Sequence, residues 1–227
     1  MHLFLVHSPL LTPSVWDRLM ESLEAANVSA TAVALDNAAP PSTKHFEHHL
    51  AQLQDALLDL RRAPLVGIAH SGAGSLLALL DPQQFAGLIY LDAIFPDKGA
   101  SRFELFDDPR AVNVWRQAAE QNGGKLPRSM LLQLAAAVQG ERSRKALKAG
   151  IADVPVALYE EVIPVHPRWP AVERGLYLQW TDSYAADADR AQSAGFEVRR
   201  QAASHFEMLN QPDAVAETLL AFSRTLE

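Results

Sequence analysis

The sequence predicts an α/β protein: a mostly parallel sheet with helices on both faces and a small helical segment inserted late in the chain. Three observations carry that prediction. Short apolar runs of strand length alternate with stretches of helical periodicity through the N-terminal part, the signature of βαβ units. A polar, helical stretch from about residue 97 to 167 then shows no strand periodicity. The alternation resumes after it and continues to the last residues. The 227 residues, 48% hydrophobic and 21% charged, suffice for one large domain with its own core. Residues 1–96 and 168–227 are accordingly expected to form the core, and 97–167 a helical cap inserted in it.

Each element has its own reason. Leu3–Val6 is four apolar residues bounded by Ser8-Pro9, too short for a helix, and reads as a buried strand. Ser14 suits a helix N-cap, with Trp16, Leu19, Met20 and Leu23 following on one face. Val28–Leu35 alternates and is rich in β-branched residues, predicting a second strand. The stretch 37–42 is a loop by its prolines and serine. Thr43 to Arg62 reads as a long amphipathic helix through Phe46, Leu50, Leu53, Leu57 and Leu60, stopped by Pro64. Leu65–Ala69 is the third strand, Ser75–Leu80 a helix, and Ala86–Asp92 the fourth strand. Within the insertion, helices fit Pro109–Gln121, Ser129–Gln139 and Glu141–Lys148. Gly175–Trp180 and Phe196–Gln201 are strands, with helices over Ala185–Ala194 and Asp213–Thr225.

Composition excludes several functions. The chain has no cysteine, so it lacks a cysteine nucleophile, a disulfide framework and any thiolate metal site. Its formal charge is −7, and its basic pairs Arg61-Arg62 and Arg199-Arg200 are isolated, which argues against nucleic acid and anionic membranes as partners. The N-terminal apolar run lacks a basic flank and is too short for a signal peptide, and no stretch reaches membrane-span length. A cytoplasmic protein acting on a small molecule is expected. Nothing in the sequence specifies an oligomeric state.

The chemistry concentrates in Gly67-Ile68-Ala69-His70-Ser71-Gly72-Ala73-Gly74, directly after a strand and directly before a helix. Small residues on both sides of Ser71 suit a strained strand–turn–helix elbow that lifts a nucleophilic hydroxyl off the sheet. The Gly72 amide at the helix start would receive a developing oxyanion. A glycine-rich βα turn with a capping serine is the plain structural alternative. A nucleophilic serine also needs a base and an orienting acid. His205 follows strand Phe196–Gln201, and Asp182 follows strand Gly175–Trp180, both at the sheet edge where open α/β sheets keep their sites. The order Ser71, Asp182, His205 is the order such an architecture requires. Asp92, at the end of the fourth strand, is the rival acid. His45, His48 and His49 share a helix face at metal-ligand spacing, but no glutamate completes a metal motif, and no metal is assigned. Trp115, Trp169, Tyr159 and Tyr184 are candidates for an aromatic substrate pocket.

These residues resemble the α/β-hydrolase fold superfamily, in particular its small esterase and hydroxynitrile-lyase-like branch. Three blocks carry the resemblance: His7-Ser8 with Trp16; His70–Gly74 continuing to Tyr90-Leu91-Asp92-Ala93-Ile94-Phe95-Pro96; and Ser204-His205-Phe206-Glu207-Met208-Leu209-Asn210-Gln211-Pro212. The resemblance implies Ser71 as nucleophile, His205 as base, Asp182 as acid, and a cap over the site. It implies no cofactor. One departure is chemical. The family takes its second oxyanion amide from the position held here by Pro9, which has no N–H, so Leu10 N–H or the Ser8 hydroxyl would have to replace it. His70, Trp115, Tyr159 and Phe206 are the expected substrate contacts. The expected activity is hydrolysis of a small ester, thioester or lactone through an acyl-enzyme. A lyase, cyclase or acyltransferase using the same Ser–His pair is one alternative, since lyases of this branch also carry a hydroxyl residue at position 8. A binding protein without turnover is the other.

Overall fold

A computed structural model describes residues 1–60, 64–105 and 109–226. Six strands form one all-parallel sheet: β1 (His2–Val6), β2 (Ser29–Ala32), β3 (Leu65–His70), β4 (Gly87–Leu91), β5 (Gly175–Gln179) and β6 (Glu197–Arg200), in spatial order β2-β1-β3-β4-β5-β6. The order reverses between β1 and β3, which opens a crevice at the C-terminal edge of the sheet. The central strands β3 and β4 are buried at every residue, as continuous apolar runs require. The edge strands β2 and β6 are shorter than their predicted spans, because only one neighbour pairs with each and none of their residues is fully buried.

Crossover helices cover both faces. They include α1 (Asp17–Ala25), α2 (His45–Leu58) and α3 (Gly74–Leu77). The end of the predicted 43–62 helix, with Arg61 and Arg62, lies outside the described residues. Among the described residues of the 97–167 stretch the helices are α4 (Pro109–Glu120), α5 (Arg128–Leu131), α6 (Glu141–Ala149) and α7 (Ala157–Glu160). The expected helix Ser129–Gln139 is instead the single turn α5 followed by 3-10 turns over Leu132–Ala137. Buried residues of this stretch, such as Val112, Leu131, Leu147 and Leu158, pack into the same apolar cluster as Leu3, Ile68 and Leu176 of the sheet. The C-terminal part adds α8 (Ala185–Ser193), α9 (Glu207–Asn210) and α10 (Pro212–Arg224), the last packed on α1. No helix among the described residues is long and apolar enough to cross a membrane.

Candidate active site

Strand β3 ends at His70, and Ser71 follows with φ of 58°, in the left-handed region that non-glycine residues rarely adopt. The turn is tight. A Cβ on Gly74 would lie 1.8 Å from the Ile94 carbonyl oxygen, so glycine is required there, while Ala69 and Ala73 are fully buried beside it. The Ile94 amide donates to the Ser71 carbonyl at 3.0 Å and pins the elbow to the chain leaving β4. The result presents the Ser71 side chain to a cavity of about 160 Å³ at the C-terminal edge of the sheet.

His205 enters from the loop after β6. Its Nδ1 donates to Asp92 Oδ2 at 2.7 Å, leaving Nε2 as the nitrogen available to Ser71. Asp92 directly follows β4, has φ of 42°, and is fully buried. Its carboxylate also accepts from Trp180 N at 2.9 Å, Thr181 N at 3.0 Å and the Thr181 hydroxyl at 2.8 Å. Four donors around one buried carboxylate hold it in a single orientation behind the imidazole.

The expectation that Asp182 would face His205 is not met. Asp182 begins a 3-10 turn, Asp182–Tyr184, that rotates its side chain outward to an exposed position and carries Tyr184 inward instead. The Tyr184 hydroxyl lies 3.1 Å from Ser71 Oγ, and its ring stacks on His205 at 5.2 Å and 2°. Among the described residues this is the hydrogen bond that Ser71 Oγ makes. Burial pushes the Tyr184 phenol well above the ordinary tyrosine value, so it is a neutral hydroxyl.

The other predicted residues converge. Ser8, Leu10, His70, Gly72, Trp115, Tyr159 and Phe206 all line the cavity with Ser71 and His205. His70 Nε2 donates to the His205 carbonyl at 2.8 Å, a bond that steadies His205 from its backbone. Complete burial holds the His70 imidazole well below the ordinary histidine value, hence neutral. His7 Nδ1 donates to Ser8 O at 2.9 Å and Nε2 accepts from Leu35 N at 3.2 Å, so this neutral histidine fixes the loop that carries Ser8. Leu10 N donates to Ser8 Oγ across a long 3.4 Å, so it props the serine hydroxyl beside Gly72 rather than aiming at Gly72 itself. Of the aromatic candidates, Trp169 packs elsewhere: its indole N–H bonds the Pro96 carbonyl at 2.6 Å. His48 bonds Asp36 at 3.1 Å and His49 is buried against Asp36 O and Asn37, and no group able to hold a metal is found among the described residues.

One residue of the cavity, Arg102, escapes sequence reasoning, and for Tyr184, expected as a pocket aromatic, the hydroxyl contact with Ser71 does. Arg102 lines the same cavity at 1% exposure, yet an arginine in a polar helical stretch carries no local signal. Tyr184 stands out only as an aromatic near a strand end.

This sheet, elbow and histidine loop define an enzyme class, and the sequence comparison agrees. The alpha/beta hydrolase family model matches residues 3–218, and the chain belongs to that family of enzymes. No curated protein matches the sequence. Among solved structures, an extracellular alpha/beta-hydrolase from a Paenibacillus species, described as sharing structural and functional homology with tobacco salicylic acid binding protein 2, has TM-score 0.77 at 16% identity, covering 98% of both chains. A pyrethroid hydrolase from Sphingobium faniae has TM-score 0.70 at 21% identity over 99% of this chain and 97% of its own. Tomato methylketone synthase I, solved with 2-tridecanone, has TM-score 0.73 at 14% identity over 100% and 98%. At such identities these structures are similar in fold.

Proposed function

We propose that the protein is a serine hydrolase acting on a small ester, thioester or lactone, with Ser71 as nucleophile, His205 as general base and Asp92 as the orienting acid. The observation that carries this reading is the Asp92–His205 bond at 2.7 Å, with its imidazole on the same small cavity as a serine held at positive φ. The Ser71 oxygen attacks the substrate carbonyl as His205 Nε2 takes its proton. The oxyanion is received by Gly72 N–H and the Ser8 hydroxyl. His205 then returns the proton to the leaving alcohol or thiol, and water attacks the acyl-enzyme by the same route reversed. Pro9 offers no amide, so the Ser8 hydroxyl, held by Leu10 N–H, is the second donor. The helices of residues 97–167 act as the cap, since Trp115 and Tyr159 come from them.

A chromogenic ester panel with fluorophosphonate labelling tests the reading. Labelling and turnover that both vanish in Ser71→Ala are expected, whereas turnover surviving in Ser71→Ala would overturn it. One observation favours a second reading. Ser71 Oγ bonds Tyr184 rather than His205, so a non-hydrolytic reaction with Ser71 and Tyr184 as proton carriers would show labelling at Ser71 without ester turnover.

A further inference from the structure

Arg102 stands in the wall of the cavity beside Gly72. Its Nη1 donates to the Leu158 carbonyl at 2.9 Å, and its guanidinium lies 5.9 Å from the Tyr159 ring centre. Among the described residues Nε and Nη2 have no hydrogen-bond partner, and both are buried. Among the described residues no carboxylate pairs with Arg102. The nearby Glu161 is committed to the start of α2, accepting from His45 N at 2.9 Å and Phe46 N at 2.7 Å. A buried cation without a counter-charge is costly, and most buried donors in proteins are satisfied. Burial lowers the Arg102 guanidinium to about 10, with Tyr159 and Glu161 acting in the opposite sense, so it remains charged at neutral pH.

The two free nitrogens are also the informative ones. Nε–H and Nη2–H lie along one edge of the guanidinium and point parallel, the geometry that takes both oxygens of a carboxylate at once. Arg102 Nε lies 3.7 Å from where a Gly72 Cβ would stand, so this edge is close to the residue whose amide faces the reacting carbonyl. We propose that Arg102 is a substrate-carboxylate anchor, and that the natural substrate carries a carboxylate a short spacer away from the carbonyl that Ser71 attacks. This rests on the hydrolase reading for the reaction but not for the binding.

The experiment compares two nearly isosteric esters, mono-4-nitrophenyl succinate, which ends in a carboxylate, and 4-nitrophenyl 4-methylpentanoate, which ends in a branched alkyl group. The wild-type enzyme is expected to prefer the succinate in kcat/KM by about 10- to 100-fold, the range for a bidentate charged pair. Arg102→Met should collapse the ratio of kcat/KM between the two esters towards one, and Arg102→Lys should keep part of that ratio, having the charge without the fork. No wild-type preference would overturn the proposal. Equal loss on both esters in Arg102→Met would also overturn it, and would make Arg102 an oxyanion or packing residue. Should Arg102→Met not fold, wild-type calorimetry with succinate monomethyl ester decides: carboxylate-dependent binding, absent for dimethyl succinate, supports the anchor, and equal binding of both refutes it. That readout needs no turnover, so a failed hydrolase reading, seen as neither labelling nor hydrolysis of either ester, remains distinct from a failed anchor.

Discussion

Replacing Asp92 by Asn tests the site most directly, because the change is isosteric and its effects can be followed atom by atom. Oδ1 keeps its two backbone donors, Trp180 N and Thr181 N. Oδ2 becomes an NH2 group facing two donors, His205 Nδ1–H at 2.7 Å and the Thr181 hydroxyl at 2.8 Å. The hydroxyl can rotate; the imidazole relieves the clash only by moving its proton to Nε2. That nitrogen then cannot accept the Ser71 proton, and the base is lost in place. Loss of this orientation in serine-triad enzymes costs about 10⁴ in turnover, roughly 5.4 kcal/mol of transition-state stabilisation at 1.36 kcal/mol per decade.

The assay is kcat/KM on 4-nitrophenyl butyrate beside the rate of fluorophosphonate labelling, with a thermal melt to show that the variant is folded. A stability cost of about 1–3 kcal/mol is expected for the mispaired buried amide, far too little to empty the folded state of a typical domain. Asp182→Asn, at an exposed position, should leave turnover within about threefold and stability within about 0.5 kcal/mol. The reverse pattern, an inert Asp92→Asn and a disabled Asp182→Asn, would refute the assignment.

Three further outcomes are expected. Tyr184→Phe removes the 3.1 Å partner of Ser71 but not the base, so ester turnover should stay within about threefold, whereas a loss of about 10² or more would make the phenol a proton carrier. Pro9→Ala adds an N–H to the loop, but with the Ser8 hydroxyl serving as second donor it should leave ester turnover within about threefold; a gain of about tenfold or more would show that Ser8 does not fill the second oxyanion position. Stability should fall on acidification. Burial lowers His7 to about 4 and His49 to about 3, and lowers His70 well below its ordinary value, while in the unfolded chain they titrate near 6.5. Below about pH 6.5 the unfolded state therefore binds protons that the native state refuses. Each such histidine removes up to roughly 1.4 kcal/mol per pH unit until its folded value is reached. Urea midpoints that stay constant from pH 7 to 5 would contradict this.

The sheet was legible because its central strands are buried on both faces and therefore appear as uninterrupted apolar runs, as in Leu65–Ala69 and Ala86–Asp92. Edge strands are not so constrained, and Val28–Leu35 shrinks to the four residues Ser29–Ala32. The meeting of Ser71 and His205 on one cavity was legible for a local reason: an elbow needs small residues at fixed offsets, and the loop after a late strand lies at the same sheet edge. The carboxylate that bonds His205 was not. Strands β4 and β5 are neighbours, and an aspartate follows each at the same edge, Asp92 directly and Asp182 after two intervening residues. Pattern gives the strand ends but not the turn that follows, and here the 3-10 turn sends Asp182 out while the positive φ of Asp92 accompanies a buried carboxylate. Arg102 was illegible altogether, because its bonded partner, the Leu158 carbonyl, is distant in sequence and two of its donors have no partner among the described residues.

The distribution of charge connects these features. A protein with net charge −7 repels anions at long range, so recognition of a carboxylate must come from a cation inside the site rather than from its surface field. Asp92 is enclosed by four donors, His205 among them, and its charge is directed at those partners. His7, His49 and His70 are kept neutral by burial and add no positive charge. Among the described residues Arg102 is therefore the cavity-wall cation with no paired carboxylate, supported only at a distance by Glu161 and shielded from solvent ions. A buried pair is screened much less than a surface one. Preference for the succinate ester should accordingly weaken far less between 50 and 500 mM salt than a surface-steered preference would, and a preference that salt abolishes would place its origin on the protein's exterior rather than at Arg102.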